Sequence, residues 1–111
     1  ITLIASGGIR NPWDAAKAIS LGADGVVIGT SEMVALECVR CSNCESGRGC
    51  ARGIATTDPE LSTLVSVEYA AWRLSNLYLA WARELRRILK RLGMRSIRDL
   101  VGRTECLVRF R

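Results

Sequence analysis

The chain has 111 residues, 49% of them hydrophobic, and a formal charge of +5 from 16 Lys and Arg against 11 Asp and Glu. These totals fit an ordinary globular domain and exclude collagen-like, low-complexity and membrane-helix classes, because every apolar run falls far short of the ~18 residues a spanning helix needs. Histidine is absent, which excludes imidazole triads, His-ligated zinc and His general-base catalysis within this segment and leaves thiolates, backbone groups or a cofactor to supply any chemistry.

Ile1 opens directly into an apolar run with no initiator Met, basic n-region or small-residue cleavage site, which reads as a chain cut at its front. The run Ile1 to Ser6 lacks strict alternation, as expected for a strand buried on both faces of a parallel sheet, and Gly7-Gly8 stops it. Asn11 is placed to cap a helix, Pro12 suits its first position, Asp14 complements the dipole, and Gly22 can take the left-handed conformation that ends it; a helix is predicted over 12–21. Gly25 to Gly29 reads as a second buried strand, and Thr30 or Ser31 caps another helix running through Leu36 toward Cys38. A strand joined to the next through one helix is a right-handed parallel crossover. Two such strands cannot cover themselves, so six or more companion strands are expected elsewhere.

From Cys38 to Gly53 the chain is rich in Cys, Gly, Ser and Arg without apolar periodicity, the pattern of an irregular loop that needs an internal support. Asp58, Pro59 and Glu60 then form a helix-start signal, with Asp58 as N-cap. Between about Val67 and Leu92, Leu74, Leu77, Trp81, Leu85, Ile88 and Leu92 recur at spacings of three and four, one apolar stripe of an amphipathic helix that Gly93 ends. Ser96 caps a last short helix over Ile97 to Val101, and Gly102 closes it. Arg83, Arg86, Arg87, Lys90 and Arg91 read as a solvated face, and Tyr69, Trp72, Tyr78 and Trp81 as packing residues; neither set predicts a nucleic-acid partner, and no membrane association is expected. The chain divides into residues 1–37, 38–56 and 57–111.

Two constellations carry chemistry. Ser6-Gly7-Gly8-Ile9-Arg10 follows the first strand and Gly29-Thr30 the second. In a (β/α)8 barrel the loops after the last two strands commonly hold phosphate, where glycine lets the backbone approach and amides plus a helix dipole supply positive potential. The bland alternative is that these glycines merely turn the chain. Taken with Leu21-Gly22-Ala23-Asp24, however, residues 3–30 resemble the closing half-barrel shared by IMP dehydrogenase and FMN-dependent oxidoreductases.

The second constellation is Cys38, Cys41 and Cys44, followed by Cys50. Four thiols this close, without a secretory signal, favour an inorganic centre in a reducing compartment, so a cytoplasmic location is expected. Thiolates two residues apart can converge on an iron–sulfur cluster, with a more distant fourth closing the cage. Zinc is the alternative, although zinc ribbons separate their Cys-x2-Cys knuckles by roughly 12 or more residues. Unligated thiols are the third reading. Cys106 stands apart and reads as a packed or idle thiol.

Nearly the whole chain resembles the FMN-binding, C-terminal region of the glutamate synthase large subunit, above all its archaeal type. The matching stretches are Ser6 to Arg10, Gly22 to Asp24, Gly29-Thr30, Ala35 to Cys38, Cys50 to Thr56, Asp58 to Glu60 and Val101 to Thr104. The resemblance implies an α/β fold: the C-terminal strands and helices of an FMN-binding (β/α)8 TIM barrel, with an iron–sulfur cysteine loop over 38–56 and a C-terminal helical segment. It implies FMN contacts from Ser6, Gly7, Gly8, Ile9, Arg10, Gly29 and Thr30. In the bacterial members three cysteines hold a [3Fe–4S] cluster, with five residues between the first two and four before the third. Cys38 and Cys44 keep the first interval, Cys50 lies one residue farther on, and Cys41 is an addition that admits a [4Fe–4S] cluster.

The implied activity is reductive formation of L-glutamate from 2-oxoglutarate and glutamine-derived ammonia. Electrons would come from an NADPH-dependent reductase subunit or ferredoxin through the cluster to FMN. Further partners implied are the upstream barrel half and a glutaminase domain or subunit, in an oligomer. Catalytic residues are expected upstream of Ile1. Arg40, Arg48 and Arg52 would raise the cluster's potential and attract an acidic donor. The alternatives are another FMN/iron–sulfur oxidoreductase of the same barrel family, or a small zinc-binding interaction module.

Overall fold

Asn11 starts the first helix as its position predicts: its Oδ1 accepts from the Asp14 N–H at 3.0 Å, with Pro12 in the first turn of α1 (Pro12–Ser20). Gly22, at positive φ, ends α1: its N–H donates to the Ile19 carbonyl, and the Ala23 N–H reaches back to Ala18. That pair of bonds is the Schellman closure, which satisfies carbonyls the helix leaves unpaired. The structure, a computed structural model, describes residues 1–109; the last two residues of the expected 57–111 segment lie outside the described residues. The chain divides into two compact units, residues 1–29 with the chain from 79 onward, and residues 30–78.

In the first unit, β1 (Ile4–Ser6) and β2 (Gly25–Val27) pair in parallel, with Ile4 opposite Gly25 and Ser6 opposite Val27. This is the expected crossover through α1, although both strands are shorter than their apolar runs. The Asp24 N–H donates to the Leu3 carbonyl at 2.7 Å, and the Leu3 N–H donates to Asp24 Oδ2 at 2.8 Å. Together these bonds fix the level at which both strands begin. Ile4 is 57% and Val27 48% exposed. Two strands and one helix thus leave an apolar sheet surface uncovered within this unit, as two such strands cannot cover themselves.

The core of this unit joins Ala16 and Ile19 of α1 to Ile88 and Leu89 near the end of α3 (Val67–Arg91) and to Leu100. Leu100 belongs to a single 3-10 turn, Ile97–Leu100, which Ser96 and Asp99 close with a reciprocal capping box. Cys106 is half-buried and packs against this core. Leu92, expected on the buried stripe, is exposed, and Leu89 is buried instead. The cause is local: Gly93 unwinds the chain one residue after Leu92, and the Met94 N–H folds back onto the Leu89 carbonyl.

The second unit holds α2 (Thr30–Ala35), the cysteine loop, a 3-10 turn Leu61–Leu64 and the first half of α3. Asp58 is the expected cap: its Oδ1 accepts from the amides of Glu60 and Leu61, though the element is one 3-10 turn rather than an α-helix. Tyr69, Trp72 and Tyr78 are exposed, which corrects their reading as packing residues; only Trp81 of the four is buried. The basic residues Arg83, Arg86, Arg87, Lys90 and Arg91 are exposed as expected.

Candidate functional site

Because Ser6 pairs with Val27, the turn at Gly7-Gly8 and the turn at Ile28-Gly29 leave the same carboxyl edge of the two-stranded sheet. That edge is where parallel α/β sheets place ligands. Gly7 and Gly8 have φ of +92° and +72°, a backbone that an L side chain rarely adopts, yet a Cβ on either would meet nothing within 4 Å. The turn is thus conformationally demanding and sterically open above. The Arg10 N–H donates to Asp14 Oδ2 at 3.1 Å, so one amide of the loop is already engaged by a carboxylate. Ser6 ends β1, Ile9 and Arg10 connect the turn to α1, and Gly29 at φ +43° precedes Thr30, the first residue of α2. The structure therefore brings Ser6, Gly7, Gly8 and Gly29 to one sheet edge.

The cysteine loop begins under unusual backbone control. Glu37 takes φ +73° after α2; its N–H donates to the Val34 carbonyl and the Cys38 N–H to Met33, a Schellman closure with glutamate where glycine is the ordinary choice. Arg40 (φ +57°) and Ser42 (φ +63°) are also left-handed. Each such non-glycine residue costs about 1–2 kcal/mol, and such strain persists where surrounding structure over-determines it. Part of that surrounding is α3: the Tyr69 hydroxyl donates to Glu37 Oε1 at 3.3 Å, and Arg73 Nε donates to the Ala35 carbonyl at 2.8 Å while its guanidinium lies 5.9 Å from the Tyr69 ring. Tyr78 is tied to Glu32, whose hydrogen bond raises the phenol's pKa. Tyr69, Arg73 and Tyr78 thus pin α2 up to the residue before Cys38. Sequence spacing had no signal for this clamp, since its partners lie more than thirty positions apart.

Cys38, Cys41 and Cys50 line one cavity of about 280 Å³ together with Val39, Ala51 and Arg52. The Arg40 N–H donates to Cys38 Sγ at 3.4 Å. The Cys50 thiol is held below its usual pKa by the backbone amides of Ala55, Ile54, Arg52 and Gly53, an arc of N–H groups that favours the thiolate. Gly53 makes that arc possible: at φ +74°, its missing Cβ would stand 2.2 Å from the Leu61 carbonyl oxygen. Cys44 lines a polar cavity of about 620 Å³ with Arg48, Thr56, Thr57 and Asp58.

Among the described residues, no three His, Cys, Asp or Glu side chains converge closely enough to hold a single metal ion. Thiolates on one zinc would sit about 4 Å apart, given Zn–S bonds of ~2.3 Å. Cys38, Cys41 and Cys50 border one cavity, and thiolates of one loop are the donors an iron–sulfur cluster takes. The donor chemistry, all sulfur with amide N–H groups on Cys38 and Cys50, fits an iron–sulfur cluster at Cys38, Cys41 and Cys50. No helix of the described residues is long and apolar enough to cross a membrane.

The family description that matches this chain is the conserved region in glutamate synthase, over residues 1–95. The archaeal-type glutamate synthase (NADPH) of Thermotoga neapolitana is 46% identical over 106 residues, 96% of this chain and 21% of that protein. The archaeal glutamate synthase (NADPH) of Methanocaldococcus jannaschii is 49% identical over 107 residues, again 96% of the chain and 21% of the relative. The glutamate synthase (NADH) of Schizosaccharomyces pombe is 36% identical over 107 residues but is matched over only 5% of its length. The chain spans about a fifth of the archaeal-type relatives it matches.

Proposed function

Since the chain belongs to the glutamate synthase family, we propose that it is the part of a larger oxidoreductase that carries the FMN-phosphate loop and the iron–sulfur loop. The enzyme as a whole would form L-glutamate from 2-oxoglutarate and glutamine-derived ammonia. The observation that carries the proposal is the cavity shared by Cys38, Cys41 and Cys50, one edge of it backed by amides that favour the Cys50 thiolate.

Bound there, the two cofactors supply hydride delivery to the substrate's imine carbon and single-electron transfer from the donor. The chain's own residues place and tune them. Gly7 and Gly8 hold an open left-handed turn at the sheet edge, where backbone amides and the start of α1 offer positive potential to the FMN phosphate; Ser6, Ile9, Arg10, Gly29 and Thr30 complete that loop pair. Cys38, Cys41, Cys44 and Cys50 serve the cluster, as a [3Fe–4S] or [4Fe–4S] centre. The Arg40 N–H on Cys38 Sγ and the amides from Arg52 to Ala55 near Cys50 stabilise negative charge on sulfur, which raises the potential. Arg52 beside the thiols acts in the same direction.

Ile1, Leu3, Ile4 and Val27 present exposed apolar surface, which supports burial against further strands of a TIM barrel. The partners proposed are those upstream strands, a glutaminase domain or subunit, and an NADPH-dependent reductase subunit or ferredoxin, in a cytoplasmic oligomer. The test is the full-length polypeptide, purified anaerobically and assayed for FMN, iron, acid-labile sulfide and L-glutamate formation from 2-oxoglutarate. FMN and sulfide with glutamate formation are expected. Zinc without sulfide, and no flavin, would overturn the reading.

A further inference from the structure

The first half of α3 holds α2 and the residues just beyond it through polar contacts in regular order. The Tyr78 hydroxyl engages Glu32, Arg73 Nε donates to the Ala35 carbonyl at 2.8 Å, and the Tyr69 hydroxyl donates to Glu37 Oε1 at 3.3 Å. Position rises along α2 as it falls along α3, so the two segments run antiparallel, and the last contact falls on the residue before Cys38. Arg73 stands at the centre of this ladder. Ala35 ends α2, and Arg73 gives its carbonyl the donor that no backbone amide supplies. The guanidinium is half-buried and lies 5.9 Å from the centre of the Tyr69 ring, which is itself 5.9 Å from the Trp72 ring. Among the described residues Arg73 forms no ion pair, and Glu32 and Glu37 are engaged by tyrosine hydroxyls instead.

We infer that Arg73 is a positioning residue for the cluster: it closes the C-terminal end of α2, fixes where the cysteine loop departs, and sets a permanent positive charge at Ala35, just before Cys38. This inference rests on the proposal that the loop holds an iron–sulfur centre. The carbonyl end of a helix carries negative partial charge, which disfavours an added electron close by. The guanidinium offsets it. Arg40, Arg48 and Arg52 are exposed, so solvent and salt screen them, whereas the half-buried Arg73 is screened less. Arg73 therefore favours the reduced cluster and raises its potential, whichever thiols ligate the iron.

The experiment compares Arg73→Gln and Arg73→Lys with the wild type in the full-length protein, prepared anaerobically. The cluster's midpoint potential is read by redox titration followed by electron paramagnetic resonance, the signal being assigned by its loss in a Cys38→Ala/Cys50→Ala double variant. Hydrogen exchange across residues 30–38 reads the hold on α2, and FMN content checks folding. Arg73→Gln is expected to keep FMN, to exchange at least about fivefold faster across residues 30–38, and to shift the potential downward. Arg73→Lys keeps the cation but loses the planar Nε donor. Its potential is expected to return to the wild-type value while its exchange stays raised, a split that a merely structural residue would not show. If Arg73→Gln loses FMN, Arg73→Lys decides alone, since it must combine raised exchange with the wild-type potential. An unchanged or higher potential in Arg73→Gln, or a lowered potential or wild-type exchange in Arg73→Lys, would overturn the inference. A wild-type protein with no more iron and acid-labile sulfide than the double variant would sink the cluster reading itself, and this inference with it.

Discussion

Replacing Gly53 by alanine tests how the arm that carries Cys50 is held. The new Cβ would lie 2.2 Å from the Leu61 carbonyl oxygen and 3.0 Å from Leu64 Cβ, at φ +74°. The left-handed conformation alone costs an alanine roughly 1–2 kcal/mol. The collision is with backbone, so the 61–64 turn must move away, and overpacking of this kind adds about 1–3 kcal/mol. The two contributions together come to about 2–5 kcal/mol against the local packing of Cys50 on that turn. Gly47 is the internal control: it has the same φ of +74°, and a Cβ there meets nothing within 4 Å. Gly47→Ala should therefore cost only the conformational part, about 1–2 kcal/mol. Hydrogen exchange across residues 50–64 of the full-length protein should rise far more in Gly53→Ala than in Gly47→Ala, and iron content should fall with it. Equal exchange in the two variants would refute the close approach of Gly53 to Leu61.

Other outcomes follow from the same contacts. Arg73→Gln removes the donor to the Ala35 carbonyl and the cation over Tyr69, at about 1–3 kcal/mol for a partly buried charged hydrogen bond; exchange should rise across residues 30–38 while α1 stays protected. Asp24→Ala removes the acceptor for the Leu3 N–H, and about 1 kcal/mol of local protection should be lost at that amide. In the metal-free reduced protein, Cys50 should alkylate with a pH midpoint below the ~8.5 of an ordinary thiol, because the amides of Ala55, Ile54 and Arg52 lower its pKa. The sign is that of a depressed folded-state pKa. Its stabilising contribution is complete above the unfolded thiol's pKa and disappears as pH falls through the folded value. A midpoint at or above the ordinary value would remove the amide arc from the account of Cys50.

Local rules read from the chain found the caps and the ends of helices well. Asn11, Asp58 and Ser96 cap as their side chains predict, and Gly22 and Gly93 stop helices where the apolar pattern stops. These features depend on residues within about four positions of one another, so a single sequence contains the whole cause. The parallel crossover through α1 was legible because one helix between two short apolar runs implies that connection.

What was not legible depends on distant partners. Nothing about Tyr69 or Arg73 marks them as fastening the residues before Cys38, and nothing about Glu37 or Arg40 announces a left-handed backbone, since both types usually avoid it. The amide arc at Cys50 needs the approach of Gly53 to Leu61, which only the folded chain creates. The cavity that Cys38, Cys41 and Cys50 border is likewise a property of loop geometry. Intervals of two and five residues allow many arrangements of the same four sulfurs.

Glutamate synthase membership gives the cysteine loop its meaning, and one comparison bears on that meaning most directly. Iron and acid-labile sulfide are measured in the full-length wild-type protein and in the Cys38→Ala/Cys50→Ala double variant, both prepared anaerobically. The wild type should exceed the double variant by about three to four irons, with sulfide in similar amount. Equal iron and sulfide in the two proteins would contradict the cluster at this loop, however faithfully the rest of the fold were reproduced.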